Sequence, residues 1–158
     1  MEDIFLAYYK SPIGQLEIVT SHKEVISLCF LDEEKIDFNI GYYMPNILKN
    51  TYNQLDEYFN GKRKSFDLKL KLEGTEFQKN VWKELQNINY GSTITYKEIA
   101  KRIGKEKAYR AVGNANNKNK ISIIIPCHRV IGSNNSLKGY EWGLERKRWL
   151  IKHEQINI

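Results

Sequence analysis

The chain is poor in cysteine: its 158 residues include only Cys29 and Cys127, with no Cys-x-x-Cys spacing. Neither a disulfide framework nor a cysteine-rich zinc site is indicated, and a reducing compartment suits such a chain. Long apolar runs are missing as well. None approaches the roughly 20 residues that span a bilayer, and the acidic opening Met1-Glu2-Asp3 is unlike the basic start of a secretory signal. The expected location is the cytosol, in association with the nucleoid if the cell is prokaryotic. There is no internal repeat and no low-complexity tract.

What is present is the composition of an ordinary folded domain: 41% hydrophobic residues, 28% charged residues and a mean hydropathy of −0.58. A formal charge of +6 and a pI near 9.2 favour a polyanionic partner, because Lys and Arg contacts to phosphate release counterions. Charge does not by itself place the contact, and Lys62-Arg63-Lys64 reads as a solvated loop. The length allows one core or two small domains of about 70 to 90 residues, and the patterning favours two.

The first third alternates and turns like an antiparallel meander. Strands are expected over 5–10, 15–20 and 25–31, with a turn at Ser11-Pro12-Ile13-Gly14. Ile47, Leu48, Tyr52, Leu55, Tyr58 and Phe59 recur at helical spacing, with Gly61 placed to stop the helix. Phe66, Leu68, Leu70 and Leu72 alternate with polar residues, as in a further half-buried strand or extended segment. The period changes at Glu73-Gly74, which marks the boundary between a domain over 1–72 and a second over 75–158.

Thr75 and Gln78 form a capping box ahead of Phe77, Val81, Trp82 and Leu85, and Thr95 and Glu98 form another ahead of Ile99, Ala100 and Ile103. After Gly104, Ala108, Ala111, Val112 and Ala115 fall at i, i+3, i+4 and i+7 and are expected to face inward, turning Tyr109, Arg110 and Asn114 outward. This is the outline of a helix-turn-helix, although an ordinary helix pair in a small core fits the same pattern. The β-branched run Ile121 to Ile125 is expected to be a buried strand that Pro126 ends, presenting Cys127 at the mouth of a pocket.

A thiol attacks as thiolate, and at its ordinary pKa only a few per cent is ionised at pH 7, so a base must stand nearby. His128 is the candidate, reaching the sulfur through a bridging water. Glu154 lies three residues after Ile151 and four after Leu150, which puts a carboxylate on the apolar face of the last helix, where it needs a partner. A Cys127, His128, Glu154 relay satisfies both demands.

From Thr75 to Glu154 the sequence resembles the catalytic domain of the O6-alkylguanine-DNA alkyltransferases. The resemblance is carried by Thr75-Glu-Phe-Gln-Lys-Asn-Val-Trp-Lys-Glu-Leu, Tyr90-Gly91, Thr95-Tyr-Lys-Glu-Ile-Ala, Arg110-Ala-Val-Gly-Asn-Ala, Ile125-Pro-Cys-His-Arg-Val-Ile-Gly, Gly139-Tyr140 and Gly143-Leu-Glu-Arg-Lys. Ser11 to Leu16 is similar to the family's amino-terminal domain. The fold this implies is α+β: a small antiparallel sheet plus helix of ribonuclease H-like type, supporting a mainly helical winged-helix or helix-turn-helix-like domain that binds DNA and carries out the transfer.

The implied function is direct-reversal repair, a single irreversible transfer of an alkyl group, typically methyl, from O6-alkylguanine in duplex DNA to Cys127, with O4-alkylthymine left open. The base must first be extruded. The resemblance assigns Arg110 to the gap left in the stack, places Tyr109, Ala111 and Asn114 against the minor groove, and makes Asn119 a hinge. Tyr96 donates a hydrogen bond to the extruded base, and Val130, Tyr140, Glu141 and Trp142 line its pocket. No metal or cofactor is implied, and the default assembly is a monomer.

Three positions depart from the family's pattern: Asn89 and Lys120 replace prolines, and Glu141 puts a carboxylate at the pocket loop, where a solvent-facing position is the other reading. Arg146, Lys147 and Arg148 read either as phosphate contacts or as a solvated helix face. Cys29 reads as a packing residue and His22 as an inert turn residue. Two further readings of the site stand beside the transfer: a binding-only helix-turn-helix, which would not need Cys127, and a thiol hydrolase, which would leave Arg110 without a role.

Overall fold

The computed structural model describes residues 1–36 and 43–158 and divides the chain into two compact units, Met1–Leu72 and Glu73–Ile158. In the first unit, β1 (Phe5–Ser11), β2 (Gly14–Thr20) and β3 (Val25–Phe30) form an antiparallel meander in sequence order. The β1–β2 turn is tied by Ser11, whose hydroxyl donates to the Gly14 carbonyl and accepts the Ile13 N–H. Alternation puts Ala7, Tyr9, Leu16, Ile18 and Leu28 inside. Helix α1 (Asn46–Phe59) adds Leu48, Leu55, Tyr58 and Phe59 to that core. The alternating stretch after it is extended, and its one ladder contact is an isolated parallel bridge between Leu70 and Val25.

The second unit opens with the Thr75–Gln78 capping box, both halves of which are made, and runs into α2 (Glu76–Leu85) with Val81, Trp82 and Leu85 buried. Two residues of β4 (Ile94–Thr95) lead into α3 (Tyr96–Arg102), and α4 (Tyr109–Asn117) follows. At α3 only half of the expected capping box forms. Thr95 accepts the Glu98 N–H, while the Glu98 carboxylate receives Arg102 instead. Trp82 donates its indole N–H to the Ala115 carbonyl at 2.8 Å inside the core, which fixes α2 to α4. β5 (Val130–Ile131) pairs parallel with β4, and α5 (Leu144–Ile156) ends the chain.

Two expectations change here. Ala111 is exposed, so the buried stripe of α4 consists of Val112, Ala115 and Asn116. The run Ile121–Ile125 is buried but is not a strand. Asn119 folds it into consecutive turns: its amide donates to the carbonyls of Ile121 (3.3 Å) and Ile125 (2.9 Å), and its oxygen accepts the Ile121 N–H at 2.9 Å. Ile123 then adopts a left-handed φ of 72°, which is rare and strained for a β-branched side chain. The β-branched composition serves burial at this place, not pairing.

Candidate active site

The turns end in a short 3-10 helix, Cys127–Arg129, and this helix organises the site. Cys127 retains 4% of its surface. Its backbone is held from both sides: the N–H donates to the Ile125 carbonyl, and its own carbonyl accepts the buried Asn116 amide at 3.2 Å. Burial pushes the thiol up to about 11, against the opposing pull of the Asn119 amide, the Lys147 charge and the backbone N–H groups of Cys127 and His128. At rest the sulfur therefore carries its proton.

His128 has no exposed surface and its Nε2–H donates to Glu154 Oε2 at 2.6 Å. Glu154 also accepts Arg129 at both oxygens, Nε to Oε1 at 2.7 Å and Nη2 to Oε2 at 3.1 Å, together with the Gly91 N–H at 3.3 Å. Burial alone would raise the Glu154 carboxyl, but these donors hold it well below the usual carboxylate range. Burial lowers His128, outweighing the attraction of Glu154. The consistent assignment is an ionised Glu154 neutralised by Arg129 beside a neutral His128. With Nε2 protonated, Nδ1 carries the lone pair, and this buried atom has no hydrogen-bond partner among the described residues. It is a base with its acceptor position open.

Sequence reasoning missed Arg129. Its guanidinium is buried, donates to the Ile88 carbonyl at 2.8 Å and lies 5.7 Å from the Tyr90 ring. The available signal was the count of charges: a buried carboxylate facing one neutral imidazole still needs a cation. Lys147 is a correction. It is neither a phosphate contact nor part of a solvated face, since it is completely buried and donates to the carbonyls of Val130 (2.6 Å) and Lys138 (2.8 Å).

Tyr96, the first residue of α3, donates its hydroxyl to the Lys138 carbonyl at 2.9 Å and approaches that of Gly139 at 3.4 Å. Burial raises it to about 12, so it remains a donor. Tyr96 also lines a cleft of about 550 Å³ together with Tyr109, Arg110, Gly113, Asn114, Asn117 and the 132–139 loop. Arg110, Ala111 and Asn114 are exposed on α4, and Lys97 stands 5.5 Å from the Tyr109 ring. Tyr140 is buried, its hydroxyl beside Ser122, and burial and the nearby Cys127 raise its pKa well above the ordinary value.

The other expected pocket residues do not line this cleft. Val130 is wholly buried in β5, so its contribution is the carbonyl that holds Lys147. Glu141 is exposed, which favours its solvent-facing reading, and Trp142 is half-buried. Among the described residues no cluster of His, Cys, Asp and Glu could hold a metal, and no helix is long and apolar enough to cross a membrane.

Gly139 has φ +67°, and a Cβ built there would lie 2.9 Å from the Tyr96 hydroxyl. Gly139→Ala should displace the 138–139 turn from Tyr96 and break the Tyr96 hydrogen bond to the Lys138 carbonyl, which faster exchange of the Tyr96 hydroxyl proton would report. The control is the thermal midpoint of the variant, which should fall by only a few degrees because the change sits in a surface loop.

Comparison with known proteins covers almost the whole chain. Residues 4–72 match the family model described as the ribonuclease-like domain of 6-O-methylguanine DNA methyltransferase, and residues 76–156 match the model of its DNA binding domain. A methylated-DNA–protein-cysteine methyltransferase of Methanosarcina barkeri is 51% identical over 151 residues, covering 94% of this chain and 96% of the relative. The crystal structure of the Mycobacterium tuberculosis O6-methylguanine methyltransferase superposes with a TM-score of 0.86 at 39% identity, covering 99% of this chain and 95% of that one. The same organism's enzyme in complex with DNA gives a TM-score of 0.84 at 41% identity, with coverage of 95% and 92%. The chain belongs to the 6-O-methylguanine DNA methyltransferase family.

Proposed function

We propose that Cys127 is the acceptor and that it takes the alkyl group from the O6 atom of a guanine turned out of duplex DNA. The family's chemistry is direct reversal of damage by methyl transfer to a cysteine, and DNA is the partner. The observation that carries the assignment is the open Nδ1 of a neutral His128, held in its tautomer by an ionised Glu154 next to the Cys127 turn.

The thiol proton passes through one water to His128 Nδ1, and Glu154 stabilises the imidazolium that results. The sulfur electron pair then forms the bond to the alkyl carbon while the carbon–oxygen bond breaks. Its electron pair goes to the guanine, where the Tyr96 O–H stabilises the charge by hydrogen bonding. The thioether has no good leaving group, so each molecule acts once.

The cleft supports the DNA end of the reading. Arg110 stands exposed on its rim and fills the gap in the stack, with Tyr109, Ala111 and Asn114 on the same face against the minor groove. Asn119 acts as the clasp of the active-site turn, and Tyr140 and Trp142 belong to the loop that closes on the base. The unit over 73–158 performs binding and transfer and the unit over 1–72 supports it. The protein works as a monomer in the DNA-containing compartment.

The test is intact-protein mass spectrometry after mixing with a duplex that holds one O6-methylguanine. A stoichiometric gain of one methylene on the Cys127 peptide is expected. Binding without any gain in mass would leave a lesion-binding module in place of an alkyltransferase.

A further inference from the structure

A lysine with no exposed surface is a costly element. Its ammonium must be desolvated, and this is ordinarily tolerated only when an anion accompanies it. Lys147 has no such partner at rest: both of its acceptors, the carbonyls of Val130 and Lys138, are neutral, and among the described residues no carboxylate forms an ion pair with it. Glu154, two turns further along α5, is already engaged by His128 and Arg129. An ammonium carries three N–H donors, and the two carbonyls occupy two of them.

The titratable groups around this ammonium are Cys127 and His128 of the 3-10 helix and Tyr96 of α3, whose ring centre is 5.8 Å away. Tyr96 and His128 are held in neutral forms, so the only one of the three that becomes an anion during the reaction is Cys127. Val130, which holds Lys147, is three residues from the sulfur in sequence. Lys138, which also holds it, is the residue that Tyr96 grips.

We propose that Lys147 is the counter-ion of the Cys127 thiolate, a positioning residue whose charge makes ionisation of the sulfur possible inside the buried site. The inference rests on Cys127 being the reacting thiol. It accounts for how a buried thiol is made reactive at neutral pH. His128 takes the proton, and the Lys147 ammonium, which only neutral carbonyls hold at rest, gains an anion beside it when the sulfur ionises. Burial lowers the ammonium to about 8, and an ionised Cys127 draws it back up, as reciprocal coupling requires.

The test compares Lys147→Gln, whose amide can still donate to both carbonyls without a charge, and Lys147→Arg with the unaltered protein. The readout is the single-turnover rate of methyl transfer from an O6-methylguanine duplex as a function of pH. A neighbouring unit charge shifts a pKa by about one unit or more. The Gln variant should therefore be about tenfold slower at neutral pH, and a rise of about one pH unit should restore its rate, while the Arg variant keeps the original profile. A Gln variant that is slower by one factor at every pH, or not slower at all, overturns the proposal.

If Lys147→Gln does not fold, the same question is put to Lys147→Met by the pH dependence of Cys127 alkylation with iodoacetamide. The half-maximal pH of alkylation should lie about one unit higher than in the unaltered protein, and an unchanged profile overturns the proposal. Absence of any methyl transfer in the unaltered protein would count against the functional reading, and the alkylation profile would still decide the pairing.

Discussion

Cys127→Ala should abolish methyl transfer outright, leaving the protein mass unchanged after prolonged incubation with an O6-methylguanine duplex. Affinity for that duplex should stay within a few-fold of the original. The separation follows from where the residues lie. Cys127 is nearly enclosed and does not line the cleft, whereas Arg110, Tyr109 and Asn114 do. The side-chain change is one sulfur atom in a turn whose backbone bonds to Ile125 and Asn116 do not involve the side chain. Gel-shift titration and mass spectrometry on one sample would check both halves. Transfer that survived the substitution would point to Cys29, the other cysteine, which sits in β3 of the first unit.

The second large effect belongs to Glu154. Replacing it with alanine should cost about 3–5 kcal/mol, because Arg129 would remain buried without its carboxylate and the half-buried Gly91 N–H would lose its acceptor. Against a total stability of about 5–15 kcal/mol for a chain of this kind, that is enough to leave the second unit marginal. Urea denaturation would measure the change, and a loss under about 1 kcal/mol would show that the network relaxes. The same groups set the acid limb. Both the Glu154 and the His128 pKa are lowered in the folded state, so in each case the unfolded chain binds more protons as the pH falls. The His128 contribution is present above its unfolded value near 6.5 and is lost below it. The Glu154 contribution is present above about 4.3 and is lost only well below the usual carboxylate range. The thermal midpoint should begin to decline below about pH 6.5.

Much of this was legible in the chain. The Thr75 box, the meander and the His128–Glu154 pair all rest on local pattern or on the demand of a buried carboxylate for a partner. Other features depended on tertiary context. Ile121 to Ile125 read as a strand because β-branched composition reports burial, while the competing hydrogen bonds of Asn119 are invisible to periodicity. Lys147 stands between two other basic residues on α5, so its charge read as solvated, and only the packing distinguishes it from Arg148, which is exposed. Ala111 followed the helical stripe but lies at its edge. Arg129 was hidden by its neighbours, whose roles seemed to complete the site.

The carbonyl of Lys138 serves two donors at once, the Tyr96 hydroxyl and the Lys147 ammonium. On the proposed role of Tyr96, a flipped base accepting its hydrogen bond would draw the hydroxyl from an acceptor already satisfied. The exchange replaces one hydrogen bond by another, and its net gain is a fraction of the roughly 0.5–1.5 kcal/mol that such a bond contributes. Intact and damaged guanines would then be held almost equally loosely, and discrimination would fall to the one event only the damaged base permits, the formation of a carbon–sulfur bond. Such a protein would sample bases by brief visits and record its single success in covalent form.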